Sequence, residues 1–220
     1  MKLGILFSGG KDSTYAVYLA KKLGYEIGCL ISIYSKNKES YMFHTPSIKK
    51  TEEQAKLMGI PIVTWETEGK KELELKDLEK AIIIAIKDYH IDGIVTGAIQ
   101  SVYQSVRIQK ICNRLNIECF NPLWQKNEHE YLHELVNAKF KVIITGVFAY
   151  PFNEKWLGKE IDERFINEME ILKNRHKISM IGEGGEFETL VVDCPLFKKS
   201  LKIKSFNDSG EGNSWVRELK

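Results

Sequence analysis

The segment Ser8-Gly9-Gly10-Lys11-Asp12-Ser13 constrains the fold of this chain more than any other. An apolar run, 3–7, precedes it and an amphipathic run, 14–23, follows it, so the predicted order is strand, glycine turn and helix. Adjacent glycines let a backbone curl around an anion, and the amides of a helix N-terminus point at that anion. Ser8 and Ser13 add hydroxyl donors. The segment therefore predicts a phosphate-binding loop.

The spacing of this loop excludes two common phosphate loops. A Walker A loop needs a glycine five residues before its Gly-Lys pair and a Ser or Thr after it, whereas this chain has Ile5 and Asp12 there. A Rossmann fingerprint needs a third glycine, which is missing after Gly10. The structural alternative is a plain helix cap made by Asp12 and Ser13. The remaining pattern, SGGxDS, favours nucleotide chemistry and says little about a second substrate.

Composition narrows the class of protein. With 220 residues, 43% of them hydrophobic, the chain can bury one sizeable core. The net charge is +2, so a nucleic-acid partner is not favoured. The apolar run Ala81–Ile86 is far shorter than the ~20 residues of a membrane span, and we expect neither a membrane partner nor a signal peptide. The cysteines form neither a CxxC pair nor a zinc-ligand spacing, which indicates a reducing, cytoplasmic location: Cys29, Cys112, Cys119 and Cys194.

Strand-type runs alternate with amphipathic helical segments over the first two thirds of the chain. The predicted strands are Leu3–Phe7, Glu26–Ile33, Ile62–Trp65, Gly93–Thr96 and Lys141–Phe148. The predicted helices are Asp12–Leu23, Ser47–Met58, Lys76–His90, Tyr103–Leu115 and Glu128–Ala138. This alternation predicts an α/β fold with a doubly wound, mostly parallel sheet. Ligands bind such sheets at the carboxyl ends of the strands, where the phosphate loop lies.

The pattern changes after Tyr150-Pro151. A helix is predicted from about Lys159 to Asn174, followed by a strand at Leu190–Val192. We expect a tail strand, Lys198–Phe206, to pair with Trp215–Leu219 across a turn. We therefore divide the chain into a nucleotide-binding core, 1–125, and a C-terminal α+β elaboration, 126–220, which completes the sheet within one continuous unit.

Two further segments lie where the predicted sheet would meet a ligand. Thr96-Gly97-Ala98 ends the fourth strand and is expected beside the phosphate loop. Either a flat base approaches the backbone at Gly97, with Ile31-Ser32 opposite, or Gly97 simply turns the chain. Arg107 either neutralises phosphate oxygens or remains solvated on a helix surface.

Three carboxylates surround two glycines in Glu183-Gly184-Gly185-Glu186-Phe187-Glu188-Thr189, which we call the acidic segment. A buried strand follows at once, so the segment is expected to fix its carboxylates in space. Such carboxylates bind a cation or an amine, or act as a general base. The alternative is an exposed acidic loop that only increases solubility.

The pattern SGGxDS resembles the loop of the PP-loop ATP pyrophosphatases, which have an adenine nucleotide alpha hydrolase-like fold and cleave ATP between its α and β phosphates. Three other segments extend the resemblance: Tyr41-Met42-Phe43-His44, the stretch 97–124 with Tyr103-Gln104, Arg107, Cys112 and Pro122-Leu123-Trp124, and the stretch 183–195. Together they resemble the diphthine–ammonia ligase family over nearly the whole chain, in its archaeal single-domain form.

This resemblance implies an ATP-dependent amidation. The carboxylate of diphthine, a modified histidine on translation elongation factor 2, would become an acyl-adenylate, and ammonia would displace AMP. It implies ATP as a substrate, Mg²⁺ held by Asp12, and the elongation factor and ammonia as partners, and it allows a homodimer. Glu186 or Glu188 would attract ammonium and take its proton.

The resemblance also assigns roles to individual site residues. Those expected to be catalytic are Lys11, Asp12, Glu186 and Glu188. Those expected to bind ATP are Ser8, Gly9, Gly10, Lys11, Asp12, Ser13, Ile31, Ser32, Gly97 and Ala98. Those expected to bind the acceptor are His44, Tyr103, Gln104, Arg107, Glu183, Gly184, Gly185, Glu186, Glu188 and Thr189.

Two other functions stay open at this point. Another PP-loop enzyme would act on tRNA or on a small-molecule carboxylate, although the near-neutral charge and the lack of a CxxC pair disfavour tRNA. A nucleotide-binding sensor would hold ATP without cleaving it. The nucleotide product separates these functions, because a sensor leaves ATP unchanged.

Overall fold

Two β-sheets organise the chain in the computed structural model, which describes residues 1–37, 48–70 and 72–220. The first sheet contains β1 (Lys2–Leu6), β2 (Glu26–Ser35), β3 (Ile62–Thr67), β4 (Gly93–Val95) and β5 (Glu118–Phe120). The second contains β6 (Lys141–Val147), β7 (Phe187–Asp193), β8 (Phe206–Glu211) and β9 (Ser214–Leu219). The α-helices are α1 (Lys11–Lys22), α2 (Lys50–Met58), α3 (Leu73–Tyr89), α4 (Val102–Leu115), α5 (Glu128–Asn137) and α6 (Glu163–His176).

The first sheet is parallel throughout, in the order β3-β2-β1-β4-β5. The chain proceeds outwards from β1 to β3 and then returns to place β4 on the other side of β1. The topological switch point therefore lies between β1 and β4, and the phosphate loop follows β1 directly. The predicted α/β, doubly wound fold is confirmed.

Two helices that pack on the first sheet have capping residues at their ends. Ser101 caps α4 by accepting a hydrogen bond from the Gln104 amide. The helix α2 ends at Gly59, which adopts the left-handed conformation. The apolar face of α3 is buried against β2 and β3, which covers one side of the sheet with aliphatic side chains: Leu78, Ala81, Ile82 and Ala85 from the helix, and Ile31, Ile33 and Val63 from the strands.

The second sheet corrects the predicted place of the strand Lys141–Phe148. That strand, β6, pairs antiparallel with β7 and β9 and does not extend the parallel sheet. The fifth parallel strand is β5, only three residues long and not predicted. An apolar run identifies a strand but not its neighbours, so the expectation that residues 126–220 complete the first sheet was wrong: they build a sheet of their own.

The tail hairpin also differs from the prediction. The strand β8 begins at Phe206, and residues 198–205, expected as strand, have no strand conformation. Its partner, β9, was predicted correctly, but the turn is only Gly212-Asn213. The stretch 198–205 contacts the second sheet only at separate points: the buried Leu201 donates its amide to the Val192 carbonyl of β7, and Lys204 donates to the carbonyl of Lys220 after β9.

The second sheet rests directly on the phosphate loop. The amide of Val191 in β7 donates to the carbonyl of Gly9 at 3.0 Å. Gln54 in α2 donates its side-chain amide both to that carbonyl and to the carbonyl of Val191, at 3.0 and 2.8 Å. The hydroxyl of Thr189 accepts from the Lys11 amide at 3.1 Å. The C-terminal part therefore forms one wall of whatever the loop binds.

Over the described residues, no helix is both long enough and apolar enough to cross a membrane. The four cysteines of the sequence all lie in described segments and all are free thiols.

Candidate active site

A cavity of about 520 Å³ lies at the carboxyl ends of β1 and β4. We call it the nucleotide cavity, because the phosphate loop forms one end of it. It brings together residues from five separate stretches of the sequence. Those predicted from sequence and found in its lining are Ser8, Gly10, Lys11, Asp12, Ser13, Ile31, Gly97, Ala98, Gln104, Glu183, Gly184, Gly185, Glu188 and Thr189.

The phosphate loop presents the start of α1 to this cavity. Gly10 is the N-cap residue, and it has no side chain with which to cap the first turn. Gly9 has a φ of +79°, and a Cβ at this position would collide with the side-chain oxygen of Gln54. The loop therefore needs glycine for both conformation and space, and the start of the helix provides amides and a partial positive charge for an anion.

Lys11 and Asp12 form a charged pair at this end of the cavity. The Lys11 ammonium lies 2.9 Å from Asp12 Oδ2, and the lysine side chain is only 4% exposed, against 31% for the aspartate. Tyr131 in α5 donates its hydroxyl to Asp12 Oδ1 at 2.8 Å. Burial, and then the charge of Asp12, raise the pKa of Tyr131 well above its usual value, so this hydroxyl stays protonated and remains a donor.

Tyr131 is a site residue that the sequence did not reveal. It lies on an amphipathic helix more than a hundred residues from the phosphate loop, and its burial is complete. An aromatic residue on the apolar side of a helix is ordinarily a core residue. Only the tertiary structure distinguishes a tyrosine whose hydroxyl reaches a carboxylate.

The other end of the nucleotide cavity is apolar, with a lining that includes Ile31, Ile33, Leu78 and Ile108. A flat aromatic base suits such a surface. Ser32, predicted with Ile31, is instead fully buried, and its hydroxyl donates to the Phe7 carbonyl at 2.6 Å. It therefore holds the ends of β1 and β2 together.

Gly97 is a glycine for a reason that neither sequence-based alternative contained. A Cβ at Gly97 would lie 2.8 Å from the backbone carbon of Asp12 and 2.8 Å from the amide nitrogen of Ser13. The end of β4 therefore packs backbone to backbone against the first turn of α1. This close approach brings both segments into the wall of one cavity.

The acidic segment is divided between the nucleotide cavity and a second, more open groove of about 890 Å³. Glu188 and Thr189 line the cavity, whereas Glu186 lines the groove. Ser101, Glu183 and Gly184 line both, so the two spaces meet there. The Gln100 amide donates to Glu183 Oε1 at 2.9 Å and fixes this carboxylate at the junction.

We call this second space the acceptor groove. Its charged lining contains both signs: Lys126, Lys173 and Lys177 with Glu128, Glu183 and Glu186. Glu186 is 9% exposed; its Oε1 accepts from the Ser179 amide at 2.8 Å, and its Oε2 has no hydrogen-bond partner among the described residues. This second oxygen is buried, so Glu186 keeps an unused acceptor beneath the surface of the groove.

Comparison with known proteins decides the family. A model described as "Diphthamide synthase N-terminal domain" matches residues 1–119, and one described as "Diphthamide synthase C-terminal domain" matches residues 127–217. The diphthine–ammonia ligase of Bos taurus is 32% identical over 93% of this chain and 84% of its own length. The Homo sapiens enzyme is 30% identical over the same shares. The chain belongs to the diphthine–ammonia ligase family.

A solved structure from Methanocaldococcus jannaschii, described as a predicted subunit of tRNA methyltransferase, is 24% identical to this family member. The alignment covers 91% of this chain and 99% of that chain, with a TM-score of 0.45. As a member of the diphthine–ammonia ligase family, the chain is an enzyme, a ligase that forms a carbon–nitrogen bond.

Tyr103 and Arg107, assigned to the acceptor through the family resemblance, are absent from the described lining of the nucleotide cavity. The guanidinium of Arg107 contacts Glu72 Oε1 through Nε at 3.0 Å and Nη2 at 2.6 Å, and stacks 3.5 Å from the Tyr103 ring centre. Tyr103 lines the acceptor groove, but the described linings of both spaces omit Arg107. His44 lies outside the described residues.

The donor set at Asp12 suits a magnesium ion that arrives with a nucleotide. Over residues 1–37, 48–70 and 72–220, no three metal-ligating side chains form a cluster. Mg²⁺ is commonly held by only one or two carboxylates, with phosphate oxygens and water completing its shell. Asp12, partly exposed beside the helix start that suits phosphate, matches that pattern in this ligase family member.

Glu188 gives this family member a distinctive pH dependence of stability. Burial raises the pKa of Glu188 from 4.5 to about 8. The folded chain keeps this proton up to about pH 8, whereas the unfolded chain releases it near its ordinary value, so the free energy of unfolding falls as pH rises through that window. One such group contributes at most about 1.4 kcal/mol per pH unit.

We expect Glu188→Gln to remove this contribution. The free energy of unfolding is measured with denaturant and without nucleotide at about pH 5.5 and about pH 7.5. The difference between the variant and the unmodified chain should shift in favour of the variant by about 1–3 kcal/mol from the lower pH to the higher. An identical stability difference at both pH values would show that the Glu188 carboxyl is not held neutral by burial.

Proposed function

We propose that this chain amidates diphthine on translation elongation factor 2 to diphthamide, in a reaction that consumes ATP and ammonia and releases AMP and pyrophosphate. The observation that carries the proposal is the junction of the two spaces. A cavity with a phosphate loop opens at Glu183 into a groove that also contains Glu186. A nucleotide and a carboxylate acceptor could therefore meet there.

The geometry supports a particular orientation of ATP. The triphosphate would lie against the first turn of α1, whose amides and positive dipole end favour anions. The adenine would lie among Ile31, Leu78 and Ile108 at the apolar end. Lys11 would neutralise phosphate charge, and Asp12 would hold Mg²⁺, which supplies Lewis-acid stabilisation of the departing pyrophosphate.

The first chemical step activates the acceptor. An oxygen of the diphthine carboxylate attacks the α-phosphorus, and the bond from that phosphorus to pyrophosphate breaks. The start of α1 stabilises the charge that builds up on the leaving group. Lys177, on the wall of the acceptor groove, is placed to attract the incoming carboxylate.

The second step transfers the acyl group to nitrogen. Ammonia attacks the acyl carbon, the bond from that carbon to AMP breaks, and the nitrogen loses a proton. Glu188 would accept this proton in its ionised form, and because burial raises its pKa to about 8, we expect this step to become faster as the pH rises towards that value. Glu186, in the groove, suits ammonium attraction.

The compartment follows from the same chemistry. An acceptor on a translation factor places the enzyme in the cytoplasm. The four free thiols support a reducing compartment of that kind.

Incubation with ATP, ammonium and the diphthine-bearing factor tests the proposal. We expect AMP and pyrophosphate, with a mass loss of about one dalton on the modified histidine as OH is replaced by NH₂ in the acyl transfer. Omission of either ATP or ammonium should prevent the shift. ADP as the main product, or unchanged ATP with a folded, nucleotide-binding chain, would contradict the proposal, and a shift on tRNA alone would favour another PP-loop enzyme.

A further inference from the structure

One side of α5 carries residues that contact both the phosphate loop and the segment beside the acceptor groove. Glu128, Tyr131 and Glu134 are spaced by three residues, so their side chains lie along the same side of the helix. Glu128 and Tyr131 are both buried, at 9% and 0% exposure. A polar stripe inside the core is costly unless each group is hydrogen-bonded, so the partners of these residues are informative.

The partner of Glu128 is the loop that leads into the acidic segment. Its Oε1 accepts from the Ser179 hydroxyl at 2.6 Å, and its Oε2 accepts from the Lys173 ammonium at 2.6 Å. Burial alone would raise the pKa of Glu128, but these two hydrogen bonds, the charge of Lys173 and the Met180 amide together outweigh burial and lower the pKa. Glu128 is therefore an ionised acceptor at neutral pH.

Ser179 also forms hydrogen bonds with the acidic segment and with the residues just before it. Its hydroxyl oxygen accepts from the amides of Ile181 and Glu183, at 3.2 and 3.3 Å. Its own amide donates to Glu186 Oε1 at 2.8 Å. Ser179 thus holds the backbone of Glu183 and the carboxylate of Glu186, and Ser179 is itself held by Glu128.

Tyr131 lies about one helical turn after Glu128 on α5, and its hydrogen-bond partner is Asp12. An α-helix is a stiff spacer with a rise of about 1.5 Å per residue, so the contacts of Glu128 and Tyr131 are about 4.5 Å apart along its axis. We propose that α5 is a positioning element, which uses Glu128 and Tyr131 to set the distance between the acidic segment and Asp12.

The consequence for the reaction rests on the proposed function. In-line attack on the α-phosphorus needs the acceptor carboxylate and the triphosphate within near-contact distance, and small displacements reduce such rates steeply. Tyr131 is absent from the described lining of both spaces, and Glu128, which borders the acceptor groove, has both oxygens bonded to Ser179 and Lys173. They act through the residues they hold.

Glu128→Gln is the first test, with Glu134→Gln as its matched control. Glu134 lies two turns further along α5 and contacts Tyr15 and Lys126. In native-state hydrogen exchange, we expect Glu128→Gln to lower protection of the Ile181 and Glu183 amides at least about tenfold, a loss near 1.4 kcal/mol. Glu134→Gln should leave those amides unchanged.

The second readout is kinetic. Glu128→Gln should lower kcat/KM for the diphthine-bearing factor at least about tenfold while ATP affinity changes less than about twofold. Ser179→Ala should reproduce this split, and Ser179→Thr, which keeps a hydroxyl, should restore most of the wild-type kcat/KM. Equal losses of ATP and acceptor binding would indicate a general structural defect and would overturn the proposal.

The two readouts separate the two proposals. If the unmodified chain makes no amide on the factor, the proposed function fails, and hydrogen exchange still decides whether Glu128 positions the acidic segment. If amide is made but protection of the Ile181 and Glu183 amides is the same in Glu128→Gln as in Glu134→Gln, the positioning role is wrong and the function stands.

Discussion

Asp12→Asn should lower the rate of AMP and pyrophosphate release by about 10²–10³-fold, the usual cost of removing one group that stabilises developing charge. The carboxylate faces the nucleotide cavity between the Lys11 ammonium and the Tyr131 hydroxyl. Asparagine keeps the shape and an acceptor for Tyr131 but removes the charge that would hold Mg²⁺. Asp12→Ala should abolish turnover, and both variants should remain folded.

Asp77→Asn is the control for this substitution. Asp77 is similarly exposed, at 22%, and also pairs with a lysine, Lys80, but it lies on α3 outside the described lining of the cavity. We expect its turnover to stay within about twofold of the unmodified chain. Full activity in Asp12→Asn would remove Asp12 from the proposed mechanism.

Gly97→Ala should weaken ATP binding at least about tenfold and lower the free energy of unfolding by about 1–3 kcal/mol. The added methyl group would lie 2.8 Å from the backbone of Asp12 and Ser13, so the first turn of α1 must move away from β4. That movement displaces the amides that face the triphosphate. Calorimetric titration with ATP and denaturant unfolding measure the two effects.

Gly28→Ala separates crowding from loss of the site. A Cβ at Gly28 would also be tight, 2.9 Å from Ile91 and 3.0 Å from Lys2, but these are side-chain atoms and not backbone, and both residues lie outside the described cavity lining. We expect normal ATP affinity with a smaller loss of stability. Unchanged ATP affinity in Gly97→Ala would mean that the β4 end does not constrain the loop.

The phosphate loop could be predicted from sequence because its chemistry is local. Six consecutive residues contain the glycines, the hydroxyls and the helix start, and no distant partner is needed to recognise them. The parallel strands around the loop were predictable for the same reason, since each is a short apolar run. The strand β5 was not, because three residues give too little periodicity to detect.

The remainder of the site depends on contacts between distant segments. Tyr131 lies 119 residues from Asp12 in sequence, and Ser179 lies 51 from Glu128. The local sequence around Tyr131 or Ser179 does not indicate which distant residue is its hydrogen-bond partner. The acidic segment was predicted to serve the acceptor, and the structure places it against both spaces, because β7 packs on the loop instead of lying apart from it.

That packing has a consequence for how the chain can be divided. The Gly9 carbonyl accepts hydrogen bonds from Val191 and from Gln54, and Gln54 is itself held by Val191. A fragment ending near residue 125 would keep every residue of the phosphate loop and lose the strand that supports it. We therefore expect such a fragment not to bind ATP on its own. A fusion protein that includes the phosphate loop must also include β7.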